Sequence, residues 1–231
     1  MIKYLIATPA YGGLLSTGYC RSAVQTKELF LKHKDILDAD FYFLDNESLI
    51  QRGRNRCASY AIEKGYDRLL FIDADLTWTT DDITRLINTK VNVIGGTYPV
   101  KSLPIRINFN PIPSHINEHF AGSCGRSVDD FKAYREKCAD ENGEVQVMHV
   151  PTGFLQIDVA VLKKLTNVVE KYNNAGDINY NFFPCPVRYG ILESEDWGFC
   201  SLCRDNGIPV FMNTNIVLTH AGTYNFKADL R

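Results

Sequence analysis

The first 95 residues alternate between short apolar runs and segments whose apolar residues recur with helical spacing, and this alternation constrains the fold more than any other feature. The apolar runs are predicted to be strands and the intervening segments helices. Strands joined through helices form right-handed crossovers, so we predict an α/β fold with a mostly parallel sheet flanked by helices. The predicted strands are 4–8, 39–44, 68–72 and 91–95, and the predicted helices are 22–33, 48–64 and 80–88.

The rest of the chain is predicted to form a smaller, mixed part. The segment 101–147 contains prolines, glycines and a charged stretch at 129–144, so we expect an irregular flap with a short helix over 128–138. Beyond it we predict strands at 146–150 and 153–157, a helix over 159–165, a loop rich in Asn and Tyr, a helix over 196–206 and a last strand over 210–218.

Composition and charge disfavour several kinds of partner. The formal net charge of the 231 residues is -2, so there is no basic field to attract a nucleic acid. No run reaches the roughly 18 apolar residues that a membrane span needs, and the run after Lys3 is too short for a signal peptide. We therefore expect a cytoplasmic protein without a membrane span.

The seven cysteines are an odd number, which favours free thiols. Cys200 and Cys203 have the spacing of a zinc or redox pair. No second pair accompanies them at zinc spacing, so structural thiols are favoured over either alternative.

Polar residues follow three of the predicted strands. They are Thr8-Pro9-Ala10, Asp45-Asn46 and Asp73-Ala74-Asp75. In a parallel sheet the ligand crevice lies beyond the carboxyl ends of the strands. We therefore expect all three groups to face one crevice.

Asp73 and Asp75 are the most informative of these residues because they follow a strand that is apolar after its first position. Two carboxylates this close repel each other unless a cation lies nearby, and an unpaired buried carboxylate is costly. A hard divalent ion would resolve the repulsion and could also hold a diphosphate. The alternative is a helix cap or a solvated turn. His220, after the last predicted strand, could be a further metal ligand, although a lone His is more often a surface or core residue.

In their order along the chain, these and several other segments resemble the GT-A class of glycosyltransferases. The resemblance covers most of the chain and implies a GT-A, Rossmann-like fold in a single domain over 1–231. Residues 1–100 would be the nucleotide-binding half, and 101–231 the flap and acceptor half. The segments are Ala7-Thr8-Pro9, Arg52-Gly53-Arg54-Asn55, Leu70-Phe71-Ile72-Asp73-Ala74-Asp75, Gly95-Gly96-Thr97-Tyr98-Pro99-Val100-Lys101, Thr152-Gly153-Phe154, Ser194-Glu195-Asp196-Trp197-Gly198-Phe199-Cys200, Gly207-Ile208-Pro209-Val210 and His220.

The resemblance also implies a role for each site residue. Asp75 and His220 would hold Mn²⁺ or Mg²⁺, and Asp73 would touch the ribose and the metal shell. Arg54 would contact the nucleotide, with an ion pair as the alternative, and Lys101 would meet a phosphate unless it is a solvated loop residue. The other residues implied to bind the donor are Thr8, Pro9, Ala10, Asp45, Ala74 and Gly153.

Glu195 and Asp196 open a predicted helix. In inverting enzymes of this class the second acid of such a pair removes the proton from the acceptor hydroxyl, which would make Asp196 the catalytic base. In a retaining enzyme Asp196 would orient a sugar instead, and helix capping alone could explain either acid. Trp197 could stack on a sugar or belong to the core.

The implied reaction is transfer of a hexose or deoxyhexose from a nucleotide sugar, with UDP favoured, to a glycan acceptor. The compact chain resembles a bacterial or viral enzyme, and a viral one would act in the host cytoplasm. Two alternatives remain, a sugar nucleotidyltransferase of the same fold and a non-catalytic module that binds a nucleotide or a sugar. The loop 10–16 has no Lys or Arg, which counts against the first, and the intact carboxylates count against the second.

Overall fold

Six helices and sixteen mostly short strands lie within residues 1–112, 125–222, 224 and 226–228, the part of the chain that the computed structural model describes. The helices are α1 (Thr17–Lys32), α2 (Ile50–Glu63), α3 (Thr80–Asn88), α4 (Val128–Cys138), α5 (Val159–Leu165) and α6 (Glu195–Asp205). The strands are β1 (Ile2–Ala10), β2 (Leu37–Asp45), β3 (Arg68–Ile72), β4 (Leu76–Thr77), β5 (Val93–Thr97), β6 (Arg106–Ile107), β7 (Asn110–Pro111), β8 (Arg126–Ser127), β9 (Glu144–His149), β10 (Phe154–Asp158), β11 (Lys171–Asn174), β12 (Asp177–Tyr180), β13 (Val187–Arg188), β14 (Ile191–Leu192), β15 (Val210–Val217) and β16 (Thr219–His220).

Eight of these strands form one sheet in the order β2-β1-β3-β10-β5-β15-β9-β7. β1 is parallel to β2 and β3, and β15 is parallel to β5. β10 is antiparallel to both β3 and β5, and β9 is antiparallel to both β15 and β7. Within the described residues, six strands of the sheet therefore run in one direction and only β9 and β10 run in the other. The prediction of a mostly parallel sheet with a mixed C-terminal part is confirmed.

The centre of the sheet is buried on both faces. Leu69 and Phe71 of β3 pack into one apolar cluster together with residues of α2 and α5. Leu70 and Ile72 pack into a second apolar cluster together with residues of α1 and α3. A strand that is covered on both faces needs a continuous apolar run, which explains the composition of β3. Asp73 therefore marks the point at which the chain leaves the core.

Several elements have the predicted bounds, and two predictions are wrong. β3, α3, α4 and α5 match their predicted ranges. α1 begins at Thr17 rather than at residue 22, because the Ser16 hydroxyl caps it by accepting a 3.0 Å hydrogen bond from the Tyr19 amide. The predicted loop after α5 contains the hairpin β11–β12, whose turn passes through Ala175 and Gly176 at positive φ.

Part of the predicted flap lies outside the described residues, since 113–124 are not among them. The remainder of 101–147 contains β6, β7, β8, α4 and the start of β9. In the described part of the chain, no helix is long and apolar enough to cross a membrane.

Six of the seven cysteines are free thiols, and Cys124 lies outside the described residues. Cys200 and Cys203 are fully buried. Burial raises the pKa of Cys200 to about 12 and that of Cys203 well above its ordinary value, so both remain protonated at neutral pH. These environments are typical of structural thiols.

Candidate active site

A cleft of about 570 Å³ opens beyond the carboxyl ends of β1 and β3. This volume is in the range of small-molecule sites. The predicted site residues that line the cleft are Pro9, Arg54, Asp73, Ala74, Asp75 and Glu195. Residues that the sequence did not single out also line it, namely Tyr11, Leu14, Leu15, Ser16 and Ile50.

Asp75 and His220 come together because the backbone around them is paired. β4 follows Asp75 and pairs with β16, which ends at His220. The Ala221 amide also donates a 2.8 Å hydrogen bond to the Asp75 carbonyl oxygen. His220 Nδ1 lies 2.9 Å from the Pro99 carbonyl oxygen, so Nδ1 carries a proton and donates. His220 Nε2 then faces the Asp75 carboxylate, 3.4 Å from Oδ2.

This pair fits one divalent cation. Two neighbouring ligands of an octahedral ion lie about 3 Å apart when the bonds are about 2.1 Å, close to the 3.4 Å between Nε2 and Oδ2. A His that donates through Nδ1 to a backbone carbonyl presents Nε2 as metal-binding histidines do. Within the described residues, no group of three or more His, Cys, Asp or Glu side chains is placed to hold a metal. Of a metal's ligands, the protein could supply Asp75 and His220.

Asp75 also accepts a hydrogen bond from the Lys101 ammonium group, on the same Oδ2 atom that faces His220. Burial raises the pKa of Asp75, but His220 and Lys101 together lower it by more, and the resulting pKa is about 2. The carboxylate is therefore ionised at neutral pH. We refer to Asp75, His220 and Lys101 as the Asp75 cluster.

Asp73 has a different partner. Arg54 Nη2 lies 3.0 Å and 3.3 Å from the two Asp73 carboxylate oxygens, and Arg54 Nε lies 3.3 Å from Glu195 Oε1. The Arg54 side chain is only 4% exposed, and its guanidinium lies 5.3 Å from the centre of the Phe71 ring. We refer to Arg54, Asp73 and Glu195 as the Arg54 cluster. It joins α2, the end of β3 and the start of α6, and it contains the ion pair that was the alternative role for Arg54.

The Arg54 guanidinium remains charged in this buried position. Burial lowers the pKa of Arg54, but Asp73 and Glu195 raise it by more, to above its ordinary value. Arg54 Nη1 is buried and has no hydrogen-bond partner among the described residues.

Gly153 allows Asp73 and Tyr98 to approach the same point. A β-carbon at Gly153 would overlap the Tyr98 hydroxyl and would lie 2.7 Å from Asp73 Oδ2. The Tyr98 ring also packs edge-on against His220, with ring centroids 4.9 Å apart. Burial raises the pKa of Tyr98 well above its ordinary value, and Asp73 raises it further, so the hydroxyl is protonated. Tyr98 therefore lies between the two clusters, although the sequence did not single it out as a site residue.

Asp196 lies in the first turn of α6, beside Glu195 of the Arg54 cluster. Its Oδ1 accepts hydrogen bonds from the Trp197 amide, at 2.8 Å, and from the Ser194 hydroxyl. Burial raises the pKa of Asp196, and the neighbouring Glu195 charge raises it further. A carboxyl group with a raised pKa is closer to what a general base needs at neutral pH.

The Trp197 ring stacks on His149, with centroids 4.3 Å apart and an angle of 5° between the ring planes. Burial, followed by the charge of Arg204, lowers the pKa of His149 to about 3, so this imidazole is neutral. His149 is buried. One face of the Trp197 ring is therefore packed against the protein, which favours the alternative in which Trp197 belongs to the core.

Comparison with known proteins identifies the fold but no family. No protein family and no curated protein matches the sequence. One similar solved structure is A197 from STIV, with a TM-score of 0.54 and 14% identity over 99% of this chain and 95% of that chain. Another is GalNAc-T7, a GT-A glycosyltransferase crystallised with UDP, GalNAc and Mn²⁺. Its TM-score is 0.50 and its identity 8%, over 98% of this chain and 44% of that chain.

The chain has a GT-A-like fold. At these identities the likeness shows the fold alone. This chain also spans less than half of the length of GalNAc-T7, with 44% of that chain covered.

Five of the predicted donor-binding residues do not line the cleft of this GT-A-like fold, and Thr8, Ala10 and Asp45 are three of them. Thr8 is fully buried, and its hydroxyl oxygen lies 2.5 Å from that of Tyr19. Ala10 is 2% exposed. Asp45 is exposed at the end of β2, where it is in register with Ala10. Contacts of these three residues with a nucleotide stay predictions.

The remaining predicted residues are connected to the cleft through residues that line it. Lys101 and His220 contact Asp75. Gly153 adjoins Asp73, whose amide donates a 2.8 Å hydrogen bond to the Gly153 carbonyl oxygen. Asp196 follows Glu195 in the chain. The GT-A-like fold thus brings Asp73 and Asp75 to the same region as the two acids of α6, Glu195 and Asp196.

Exposed apolar side chains around the cleft were not singled out by the sequence. Tyr11 is 73% exposed, Leu14 76% and Ile50 39%. Tyr11 begins a short turn in which Gly12 and Gly13 have positive φ, directly after β1. The sequence does contain a signal that could have identified Tyr11, because it is an aromatic residue in a glycine-containing loop at the carboxyl end of a predicted strand.

Proposed function

We propose that this protein is a metal-dependent glycosyltransferase that moves a sugar from a nucleotide sugar, a UDP-hexose or UDP-deoxyhexose, to a glycan acceptor. The observation that carries the proposal is the Asp75–His220 pair, a carboxylate oxygen and an imidazole nitrogen 3.4 Å apart at the edge of the cleft. The fold shared with GalNAc-T7, which was crystallised with UDP, GalNAc and Mn²⁺, supports UDP and Mn²⁺ as the first ligands to test.

The cleft offers a different surface to each part of such a donor. Tyr11, Leu14 and Ile50 present exposed apolar area against which a nucleobase can pack. Asp73, held by Arg54, can accept a hydrogen bond from a ribose hydroxyl. Mn²⁺ or Mg²⁺ bound by Asp75 and His220 would act as a Lewis acid that neutralises the diphosphate leaving group.

Asp196 is the proposed general base. Its carboxylate would take the proton of the acceptor hydroxyl while the acceptor oxygen bonds to the anomeric carbon and the bond to the diphosphate breaks. This sequence of events inverts the anomeric configuration. Burial and the charge of Glu195 raise the pKa of Asp196, which makes it a stronger base than an ordinary carboxylate. In a retaining reaction Asp196 would orient the acceptor instead.

A thermal-shift screen of nucleotide sugars with Mn²⁺ tests the donor, because a ligand that binds only the folded state raises Tm. With the donor found, Asp75→Asn is expected to lower turnover by at least about 100-fold, since it removes the charge that binds the metal. Asp35→Asn, an exposed acid in the turn between α1 and β2, is the matched control and should leave turnover unchanged.

The proposal fails if no nucleotide sugar stabilises the protein in the presence of Mn²⁺ and none is turned over. It also fails if Asp75→Asn keeps full activity. Pyrophosphate release from a nucleoside triphosphate and a sugar phosphate would show a nucleotidyltransferase instead.

A further inference from the structure

The Lys101 ammonium group contacts the carboxylate of Asp75, one of the two residues that would hold a metal ion. Its ammonium group donates to Asp75 Oδ2, the oxygen that also lies 3.4 Å from His220 Nε2. A divalent ion bound by both Asp75 and His220 would therefore lie next to the ammonium group, and like charges at that separation repel strongly. Lys101 and such an ion compete for one carboxylate oxygen.

Asp75, His220 and Lys101 differ in how firmly they are held in place. Asp75 and His220 are held by the pairing of β4 with β16 and by the 2.8 Å hydrogen bond from the Ala221 amide to the Asp75 carbonyl oxygen. Lys101 lies in a turn and reaches Asp75 through a flexible four-carbon stem, and its side chain is 39% exposed. Lys101 is the member that can move.

The charges around the cleft give a reason for an ammonium group at this point. Arg54 is shared between Asp73 and Glu195 and is buried, so its charge is committed to those two acids. Asp75 has a separate cation, Lys101, which solvent can reach. An ammonium group on a flexible stem that solvent reaches neutralises Asp75 in the absence of ligands and can pair with a new anion when one arrives.

We infer, on the basis of the proposed function, that Lys101 is an internal counter-ion that leaves Asp75 for a phosphate when a divalent cation and a nucleoside diphosphate bind together. The cation alone must displace Lys101 without offering it another partner, so it binds weakly. The diphosphate supplies that partner and strengthens binding of the cation. Because this coupling is reciprocal, the cation strengthens binding of the diphosphate by the same factor.

The experiment measures Mn²⁺ affinity by electron paramagnetic resonance of the free ion, with and without UDP. The wild type is compared with Lys101→Met, which removes the charge and keeps a long stem, and with Lys101→Arg, which keeps the charge. Lys34→Met is the matched control, because Lys34 is exposed in the turn between α1 and β2, away from the cleft. Circular dichroism of each variant confirms that it is folded.

Lys101→Met is expected to tighten Mn²⁺ binding in the absence of UDP by about two- to fivefold, the scale of a partly exposed ion pair. It is also expected to reduce the factor by which UDP strengthens Mn²⁺ binding. Lys101→Arg should retain most of this factor, and Lys34→Met should match the wild type. The inference is overturned if Lys101→Met binds Mn²⁺ alone no more tightly than the wild type, or if UDP strengthens Mn²⁺ binding equally in both.

These outcomes separate the inference from the proposed function. If the wild type binds Mn²⁺ in the presence of UDP and Lys101→Met behaves identically, the inference fails and the metal-dependent function stands. A wild type that binds no Mn²⁺ even with UDP contradicts both.

Discussion

A cation neutralises Asp73 in the Arg54 cluster and Asp75 in the Asp75 cluster, but the two cations differ in burial. The Arg54 side chain is 4% exposed and that of Lys101 is 39% exposed. Arg54 bonds to two acids from different elements, whereas Lys101 donates to one oxygen. A buried cation with several bonds cannot leave without stranding charges, whereas an accessible ammonium group can. The two acids thus differ: Asp73 is paired with a buried cation, and Asp75 is paired with a cation that solvent reaches.

The largest expected effect is on the Arg54 cluster. Arg54→Met would leave Asp73 and Glu195 partly buried without their cation, and we expect the free energy of unfolding to fall by about 3 kcal/mol. Urea unfolding measures this change. Arg52→Met is the matched control, because the Arg52 side chain on the same helix is 40% exposed where it pairs with Glu47 and should matter much less. Equal losses in the two variants would contradict the distinction between a buried and an exposed cation.

A smaller effect is expected at Gly153, which lies between the two clusters. The β-carbon of Gly153→Ala would overlap the Tyr98 hydroxyl, so we expect the free energy of unfolding to fall by about 1–3 kcal/mol. Gly53→Ala in α2 is the control, because its nearest neighbour is Glu47 Cγ at 3.3 Å, part of a flexible side chain, and Ala favours a helix.

Adding Tyr98→Phe to Gly153→Ala should recover part of the loss, because it removes the hydroxyl that the new methyl group overlaps. Chemical denaturation of both single variants and the double variant measures the coupling. Strictly additive losses would mean that the two residues do not share the space assigned to them.

The smallest expected effects concern Asp75 and Asp196, two acids whose pKa values shift in opposite directions. The folded-state pKa of Asp75 is lowered to about 2, so its ionised form stabilises the fold above the unfolded pKa of about 3.9, and this stability is lost as the pH falls toward 2. Asp75→Asn should therefore lower the free energy of unfolding at pH 7. The expected loss is only about 1 kcal/mol, because the side chain is 37% exposed and solvent screens its pairs.

Asp196→Asn should have the opposite sign. The folded-state pKa of Asp196 is raised by burial and by Glu195, so the folded protein favours the protonated form and loses stability as the pH rises. The amide should therefore raise the free energy of unfolding at pH 7 relative to the wild type, and this gain should shrink toward pH 4. Denaturation curves of both variants across that range provide the check. A gain for Asp75→Asn or a loss for Asp196→Asn at pH 7 would refute the assigned environments.

The parts of the fold that sequence predicted well depend on local signals. β3 has its predicted bounds because burial on both faces requires an uninterrupted apolar run. α3 has its predicted bounds because Thr79 and Asp82 form a capping box, a pattern that is visible within four residues. The hairpin β11–β12 was missed because its strands are polar and short, so they carry little hydrophobic periodicity.

The sequence predicted which residues belong to the candidate site better than it predicted the contacts that they make. The sequence placed Asp73 and Asp75 at the end of a buried strand, and both line the cleft. It also grouped Thr8 with the crevice residues, yet the Thr8 side chain is buried against Tyr19. Alternation along a strand shows which residues share a face of the sheet. It does not show which side chains of another element, here Tyr19 of α1, cover that face.

The sequence by itself determined the α/β class, the approximate positions of the long strands along the chain and the position of two acids at the carboxyl end of β3, because these follow from local periodicity. Only the tertiary structure decided which acid keeps a buried partner and which keeps a solvent-accessible one. Arg54 and Glu195 are 141 residues apart in the chain, and Asp75 and Lys101 are 26 apart. Charge pairing and solvent access depend on distances through space, and these exist only once the sheet and its helices have packed.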